Sequence, residues 1–550
     1  MGFLTPTPTP YDPLEWERLP LGPRAKLACE AWALQGYGAP LAAFGFYALK
    51  VALYIGVWIL FCGFTPGLGG LRDLGAWWLA PIAFQKAILW SMLFEVLGLG
   101  CGSGPLTGRY FPPIGGALYF LRPGTTKLPL FPRLPVLGGH RRTLVDAALY
   151  LTLIGVLLRA LTAPGSVSGL PSSLFLPIVI LVPLLGLCDR TLFLALRAEH
   201  YFTTAVVLAF SPQWLAGAKA VQLALWFFAG VSKLNHHFPS VVAVMVSNSP
   251  LLRFAWLRRR MYRRFPDDLN PSRLAVLMSH CGTALELSIP VVMLLSSGGW
   301  SLQLGMVMAL LLHGFITSNV PMGVPIEWNF MMVYGAFALF YAHPDVSALT
   351  PQPLLLTLFL VGMLVVVPVV GNFWPQRLSF LLAMRYYAGN WPYSIWLFRG
   401  DSSRKMARLV KSTPWTRDQL LRFFAPPTVV ALISRVLAFR LMHLQGRALY
   451  QLLPKAVERL QDCEYMEGEL VAGIVLGWNF GDGHLHNEAL LRAVQAQCGF
   501  EPGELRCIFL EAQPLLGRTM AYRIVDAHSG LLERGEIDVE ALRRAPPQSA

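Results

Sequence analysis

Between Leu41 and Gly371 the chain repeats one pattern, runs of apolar residues broken by Gly, Pro and charge. As a helix, about 20 such residues cross a hydrocarbon core of about 30 Å. Hydrophobic residues make up 55% of the 550 and charged residues 14%, where an ordinary soluble domain has about 25% charged. A soluble core cannot absorb that much apolar surface, so the bilayer is the solvent for most of the chain. The expected fold class is an all-α polytopic membrane protein of about ten transmembrane helices with a small C-terminal soluble α/β domain. The expected spans are 41–63, 77–99, 144–163, 173–188, 200–212, 213–232, 273–297, 301–318, 329–345 and 353–371.

This divides the chain into an N-terminal cytoplasmic segment (1–40), a transmembrane domain (41–371), basic amphipathic interfacial helices (372–465) and the soluble domain (466–550). In that last part Leu470–Leu476, Cys507–Leu510 and Ala521–Val525 read as strands and Asn487–Gln497 as a helix. Loops rich in Lys and Arg stay in the cytoplasm. Arg109, Arg122, Lys127, Arg133, Arg141 and Arg142 form one such loop, and Arg253, Arg258, Arg259, Arg260, Arg263 and Arg264 another. An even number of spans must separate them, which makes the run from Leu192 to Leu234 cross twice and leaves both termini cytoplasmic in a cell-membrane protein. The net charge of +14 is therefore read as attraction to anionic lipid of the bilayer, with no nucleic-acid partner. The eight cysteines are dispersed without a C-x-x-C pair, which argues against a disulfide scaffold or zinc ribbon. The N-terminus lacks the basic-then-apolar pattern of a cleaved signal peptide.

Ionisable residues within apolar spans are costly and are functional candidates by default. Lys86, Glu95, His200, Lys233, His280, Glu286 and His313 are in this class, and Asn235-His236-His237 follows Lys233 directly. Under the expected topology Glu95, His200, Lys233, His236, His237, His280 and His313 fall toward one end of their helices. Desolvation and neighbouring cations lower a lysine's pKa, which suits Lys233 to act as a base. The alternative is snorkelling, with Lys233 and the histidines reaching the headgroup layer. The glycine-rich run from Gly98 to Arg109 reads either as a phosphate nest using Arg109 or as a tight re-entrant turn. In the tail, Gly481-Asp482-Gly483-His484-Leu485-His486-Asn487-Glu488 carries metal-ligand residue types, but no metal is assigned, since Asn487 also suits a helix cap.

Asp189-Arg190-Thr191, Glu199-His200-Tyr201-Phe202, Ala229-Gly230 through Lys233-Leu234, Glu286 and His313 together resemble the ordered signature of the HTTM family over about residues 144–345. That family contains the membrane region of vitamin K-dependent gamma-carboxylase. The resemblance implies Lys233 as the base that deprotonates a quinol, His200 as an assisting residue, and His313 and Glu286 as polar partners. It also implies a quinone, although no motif identifies a cofactor. Glu199 stands where the family has Asn, Asn235-His236-His237 replaces its Asp and Trp, and the carboxylase's large lumenal domain has no counterpart. Glutamate carboxylation is therefore not expected, and a lipid- or quinone-linked reaction is. Over nearly the whole chain, segments such as Tyr11-Asp12-Pro13-Leu14-Glu15-Trp16 and Arg122-Pro123-Gly124-Thr125-Thr126-Lys127 resemble an uncharacterised bacterial multi-pass family. Two functions follow as expectations. One is an enzyme using Lys233, His200, His313 and Glu286, with substrate contacts from His236, His237, His280, Glu95 and Arg109. The other is a non-enzymatic carrier or assembly factor for envelope lipids.

Overall fold

A computed structural model describes residues 2–101, 104, 107–110, 115–320, 325–386, 388–481 and 483–547. Among them, six helices are long and apolar enough to cross a bilayer: Leu41–Cys62, Leu144–Thr162, Trp214–Ser232, Arg273–Leu295, Gly299–Thr317 and Leu354–Phe373. They differ in what surrounds them. The Leu41–Cys62 helix is buried over only 6% of its apolar window, so nearly all of it faces outward, whereas Trp214–Ser232 is 72% buried and stands inside the bundle.

The structure supports six crossings by length, not the expected ten. The segment expected at 77–99 is the 16-residue helix Pro81–Val96, with every residue from Ile82 to Val96 buried. Its all-round apolarity reflects neighbouring protein rather than lipid. Ser172–Cys188 is a shorter apolar helix with Pro183 inside it. The segment expected at 200–212 is a π-helical turn, Ala198–Phe202, continued by eight α-helical residues, Thr203–Phe210. That expected at 329–345 is Ile326–Gly335 followed by a π turn, Ala336–Tyr341.

Buried ion pairs hold the loop before Leu144–Thr162 against the helices. Lys127 Nζ lies 2.7 Å from both Asp146 oxygens, and Arg142 Nη2 lies 2.7 Å from Asp189 Oδ2. Asp189 also caps the Arg190–Ala195 helix by accepting from Thr191 N at 3.0 Å. A hairpin of β1 (Tyr262–Arg264) and β2 (Asp268–Pro271) leads into the Arg273–Leu295 helix.

The C-terminal part is built on an antiparallel five-stranded sheet in the order β4-β3-β5-β6-β7, with β3 Tyr393–Arg399, β4 Cys463–Glu467, β5 Leu505–Leu510, β6 Thr519–Asp526 and β7 Gly530–Asp538. All its pairs are antiparallel, so the expected α/β arrangement is corrected to α+β. β3 comes from the stretch read as interfacial helices. The same stretch holds Pro426–Leu441 and Leu444–Ala456, a pair bent by 100° with mostly buried faces. The run read as a strand at Leu470–Leu476 is instead the helix Gly468–Val475. A Cβ on Gly473 would stand 2.1 Å from the Thr107 carbonyl oxygen, so close packing on that loop overrides a β-rich composition. The helix and strands expected at Asn487–Gln497, Cys507–Leu510 and Ala521–Val525 are present, and Asn487 caps its helix by accepting from Ala489 N at 2.9 Å.

Arg440 ties the bent helix pair to the sheet. It is 2% exposed, bonds both Glu467 and Glu469, and donates to Tyr393 Oη at 3.0 Å. Arg440→Ala leaves the buried Glu469 and the partly buried Glu467 without their cation, a loss of about 3 kcal/mol. Thermal unfolding of the detergent-purified protein should show a clearly lowered midpoint, with Arg440→Lys between the two. An unchanged midpoint would mean that this pairing does not hold the sheet.

Candidate functional site

Lys233 is the residue that ends the Trp214–Ser232 helix, and Glu286 lies midway along Arg273–Leu295. The two side chains are bonded to each other and only 5% and 6% exposed. Gly230 permits this approach, because a Cβ there would meet Leu287 Cδ2 at 2.7 Å and its backbone N at 3.3 Å. Phe238 lies under the ammonium at 5.4 Å. Lys233 is therefore buried and paired, and it does not snorkel.

His313, on Gly299–Thr317, accepts from Trp226 Nε1 at 2.9 Å through Nε2 and faces Asn329 Oδ1 at 2.8 Å through Nδ1. The indole can only donate and the amide oxygen only accept, so the imidazole is neutral with its proton on Nδ1. Lys233, Glu286 and His313 line one pocket with a cavity volume of about 80 Å³, partly open to the outside. Trp226, Trp328 and Asn329 come from the bundle, Phe380, Tyr386, Trp391 and Phe480 from the C-terminal part, and Cys101 from the loop after the Pro81–Val96 helix. Glu469, held by Arg440, lines it as well.

Behind the aromatic wall sits Arg197, fully buried with left-handed backbone (φ 48°). A non-glycine residue there is held by its surroundings. Its guanidinium lies 5.2, 5.3 and 5.4 Å from the rings of Trp328, Tyr386 and Phe480 and 2.8 Å from Glu199 Oε1. The Tyr386 hydroxyl donates to the same oxygen at 2.7 Å. His200 does not line the pocket. It stands one layer back, accepting from Trp328 Nε1 at 3.1 Å through Nδ1.

Glu95 belongs to a neighbouring buried cluster. The Cys101 thiol donates to Glu95 Oε1 at 2.7 Å and lies 3.3 Å from Glu327 Oε1, and Cys101 N donates to Glu95 Oε2 at 3.0 Å. Among the described residues these three form the one group spaced to hold a metal ion. Two cations already serve it: Lys50 Nζ is 3.1 Å from Glu327 and Arg197 Nη1 is 3.6 Å from Cys101 Sγ. With Glu199, the cluster sets three carboxyls beside two cations.

The remaining candidates lie elsewhere. His236 and His280 are exposed and outside the pocket. His237 is 1% exposed, but it too is outside the pocket. Arg109 is fully buried beside Gly98 and Gly115, whose missing side chains make room for its guanidinium. Residues 102, 103, 105 and 106 of the glycine run lie outside those described. In the tail, His486 Nδ1 is bonded to Ser394 Oγ at 2.8 Å in β3, a tie between turn and sheet; Asp482 lies outside the described residues. Glu327, Trp328 and Asn329 were missed in the sequence because they precede or begin the span expected at 329–345.

A double-mutant cycle tests the central pair. Lys233→Met or Glu286→Gln alone should destabilise the protein by about 3 kcal/mol, while the double substitution costs less than the sum by 1–2 kcal/mol or more, as about expected for a buried pair. Additive effects in denaturant unfolding would show that the two residues do not interact.

No curated protein and no solved structure matches the chain. The HTTM resemblance therefore has no support among the matches, whereas the whole-chain resemblance does. The model of the family described as "Transmembrane protein of unknown function (DUF3556)" matches residues 1–549. With the match spanning almost its entire length and several apolar spans in its fold, the chain belongs to this family of transmembrane proteins of unknown function.

Proposed function

We propose that the pocket binds the polar end of an amphipathic molecule drawn from the bilayer, a quinone or another lipid, and that Lys233 moves a proton to or from it. The reading rests on one observation: Lys233, Glu286 and His313 converge on a pocket with six aromatic side chains among its other lining residues. Other buried lysines are committed to structure. Lys127 is bonded to both oxygens of Asp146 and to Leu137 O, Lys219 to His343 O and Val346 O, and Lys86 to Phe61 O. Lys233 has Glu286 as its bonded partner and open space in front of it.

Transfer of the ammonium proton to Glu286 leaves Lys233 a neutral amine that accepts a proton from the ligand, and the resulting ammonium then sits beside the ligand's new negative charge. His313, with Nδ1–H committed to Asn329, positions Trp226 and the ligand rather than exchanging protons. His200 acts through Trp328, as a positioning residue. The protein is placed in the cell membrane on the strength of its apolar spans; with six crossings the arginine-rich segments follow the first and third spans and face the side opposite both termini, so the loop arginines do not support the expected cytoplasmic termini.

The test is mass spectrometry of a bacterial lipid extract incubated with the protein in nanodiscs. Wild type in D2O should retain a ligand and exchange a carbon-bound hydrogen of it for deuterium, a conversion that proton transfer alone accomplishes. Lys233→Met with Glu286→Gln should retain the ligand unconverted, and Ala229→Trp, which fills the pocket, should retain none. A carrier would leave the lipids chemically unchanged with every variant and lose affinity when Lys233 is replaced; that pattern would overturn the enzymatic reading.

A further inference from the structure

Away from the pocket, the β1–β2 hairpin and the short Ala255–Arg260 helix before it build a strongly charged concavity. Arg259, Arg260, Arg263 and Arg273 line it together with Phe265 and Ser272, and no acidic residue does. These four arginines are exposed. Of the nearby acids, Asp267 pairs with Arg264 at 3.4 Å, outside the concavity, and Asp268 forms a long ion pair with Arg263 at 3.9 Å, so the charge of the concavity rests mainly on Arg259, Arg260 and Arg273. Arg258, by contrast, is structural, donating to Leu252 O at 2.9 Å, Leu34 O at 2.6 Å and Ser249 O at 2.8 Å, which fixes the helix to the body of the protein.

Two features put this concavity at the level of lipid headgroups. Arg273 begins Arg273–Leu295, one of the helices able to cross a bilayer, so the concavity surrounds the end of a span. Beside it Leu251, Phe254 and Trp256 are 71%, 58% and 59% exposed, an apolar and aromatic set that suits the interfacial layer. Arg260 lies over Trp256 at 5.5 Å and Arg259 over Phe265 at 5.6 Å, so both guanidiniums are braced by rings while their N–H groups stay free to point outward. Guanidinium forks match phosphate oxygens in pairs.

We propose that this concavity is a specific binding site for the phosphodiester headgroup of an anionic phospholipid, clamped by Arg259, Arg260, Arg263 and Arg273 at the membrane surface. The lipid's phosphate occupies the concavity while its acyl chains lie along the outer face of Arg273–Leu295, where Leu277 is 60% exposed.

Native mass spectrometry of the full-length protein, titrated with phosphatidylglycerol and with phosphatidylcholine, tests this. Wild type should favour phosphatidylglycerol. Arg259→Gln with Arg260→Gln should weaken its tightest phosphatidylglycerol binding on the order of 30-fold and leave phosphatidylcholine unaffected. Arg263→Gln with Arg273→Gln is an independent variant should the first fail to fold, and Arg264→Gln, which lies outside the concavity, should behave as wild type. Unchanged phosphatidylglycerol affinity in a folded double variant overturns the proposal. So does full displacement of the lipid by inorganic phosphate, which would identify a site for the free anion.

Discussion

A guanidinium buried away from water must find its compensation inside the protein, and Arg197 finds it from two directions. Glu199, two residues on, supplies the charge, and three rings, Trp328 from the bundle and Tyr386 and Phe480 from the C-terminal part, pack around the cation. Because the Tyr386 hydroxyl bonds the same carboxylate, the arginine fixes the ring positions that form one wall of the pocket. The left-handed backbone at Arg197 and the π turn that follows are the local distortions that this arrangement requires. The pocket exists because two parts of the chain meet over this one cation.

The buried ion pairs of the bundle fall into two kinds. Lys127–Asp146 and Arg142–Asp189 are surrounded by further bonds and close off loops against helices. Lys233–Glu286 is held by helix packing at Gly230 and faces a cavity. The first kind is structural, since its charges are held between loop and helix and line no part of the pocket. The second leaves an acid and a base beside space that an apolar molecule fits.

Much of the site was legible in the sequence for a simple reason: Lys233, Glu286 and His313 are polar groups inside apolar runs, and the bilayer makes such groups rare. His280 shows the limit of that rule, since an ionisable residue on the same helix as Glu286 faces outward. The aromatic wall was not legible, because Tyr386 and Phe480 come from distant segments and aromatic residues are common throughout this chain. The fold shows the same division. Spans facing outward, such as Leu41–Cys62, were readable, while Pro81–Val96 is apolar because it is packed in protein, a distinction composition does not carry. The Gly468–Val475 helix was misread for a similar reason: its shape is set by contact with the loop at Thr107.

The most direct measurement is a cryo-electron-microscopy map of the protein purified in native lipid, inspected at the space between Lys233, Trp328, Tyr386 and Phe480. The account predicts ligand density between the rings with its polar end at Lys233, and the Lys233–Glu286 pair intact beside it. A pocket holding only water, or Lys233 turned away from Glu286 toward the headgroup layer, would contradict it.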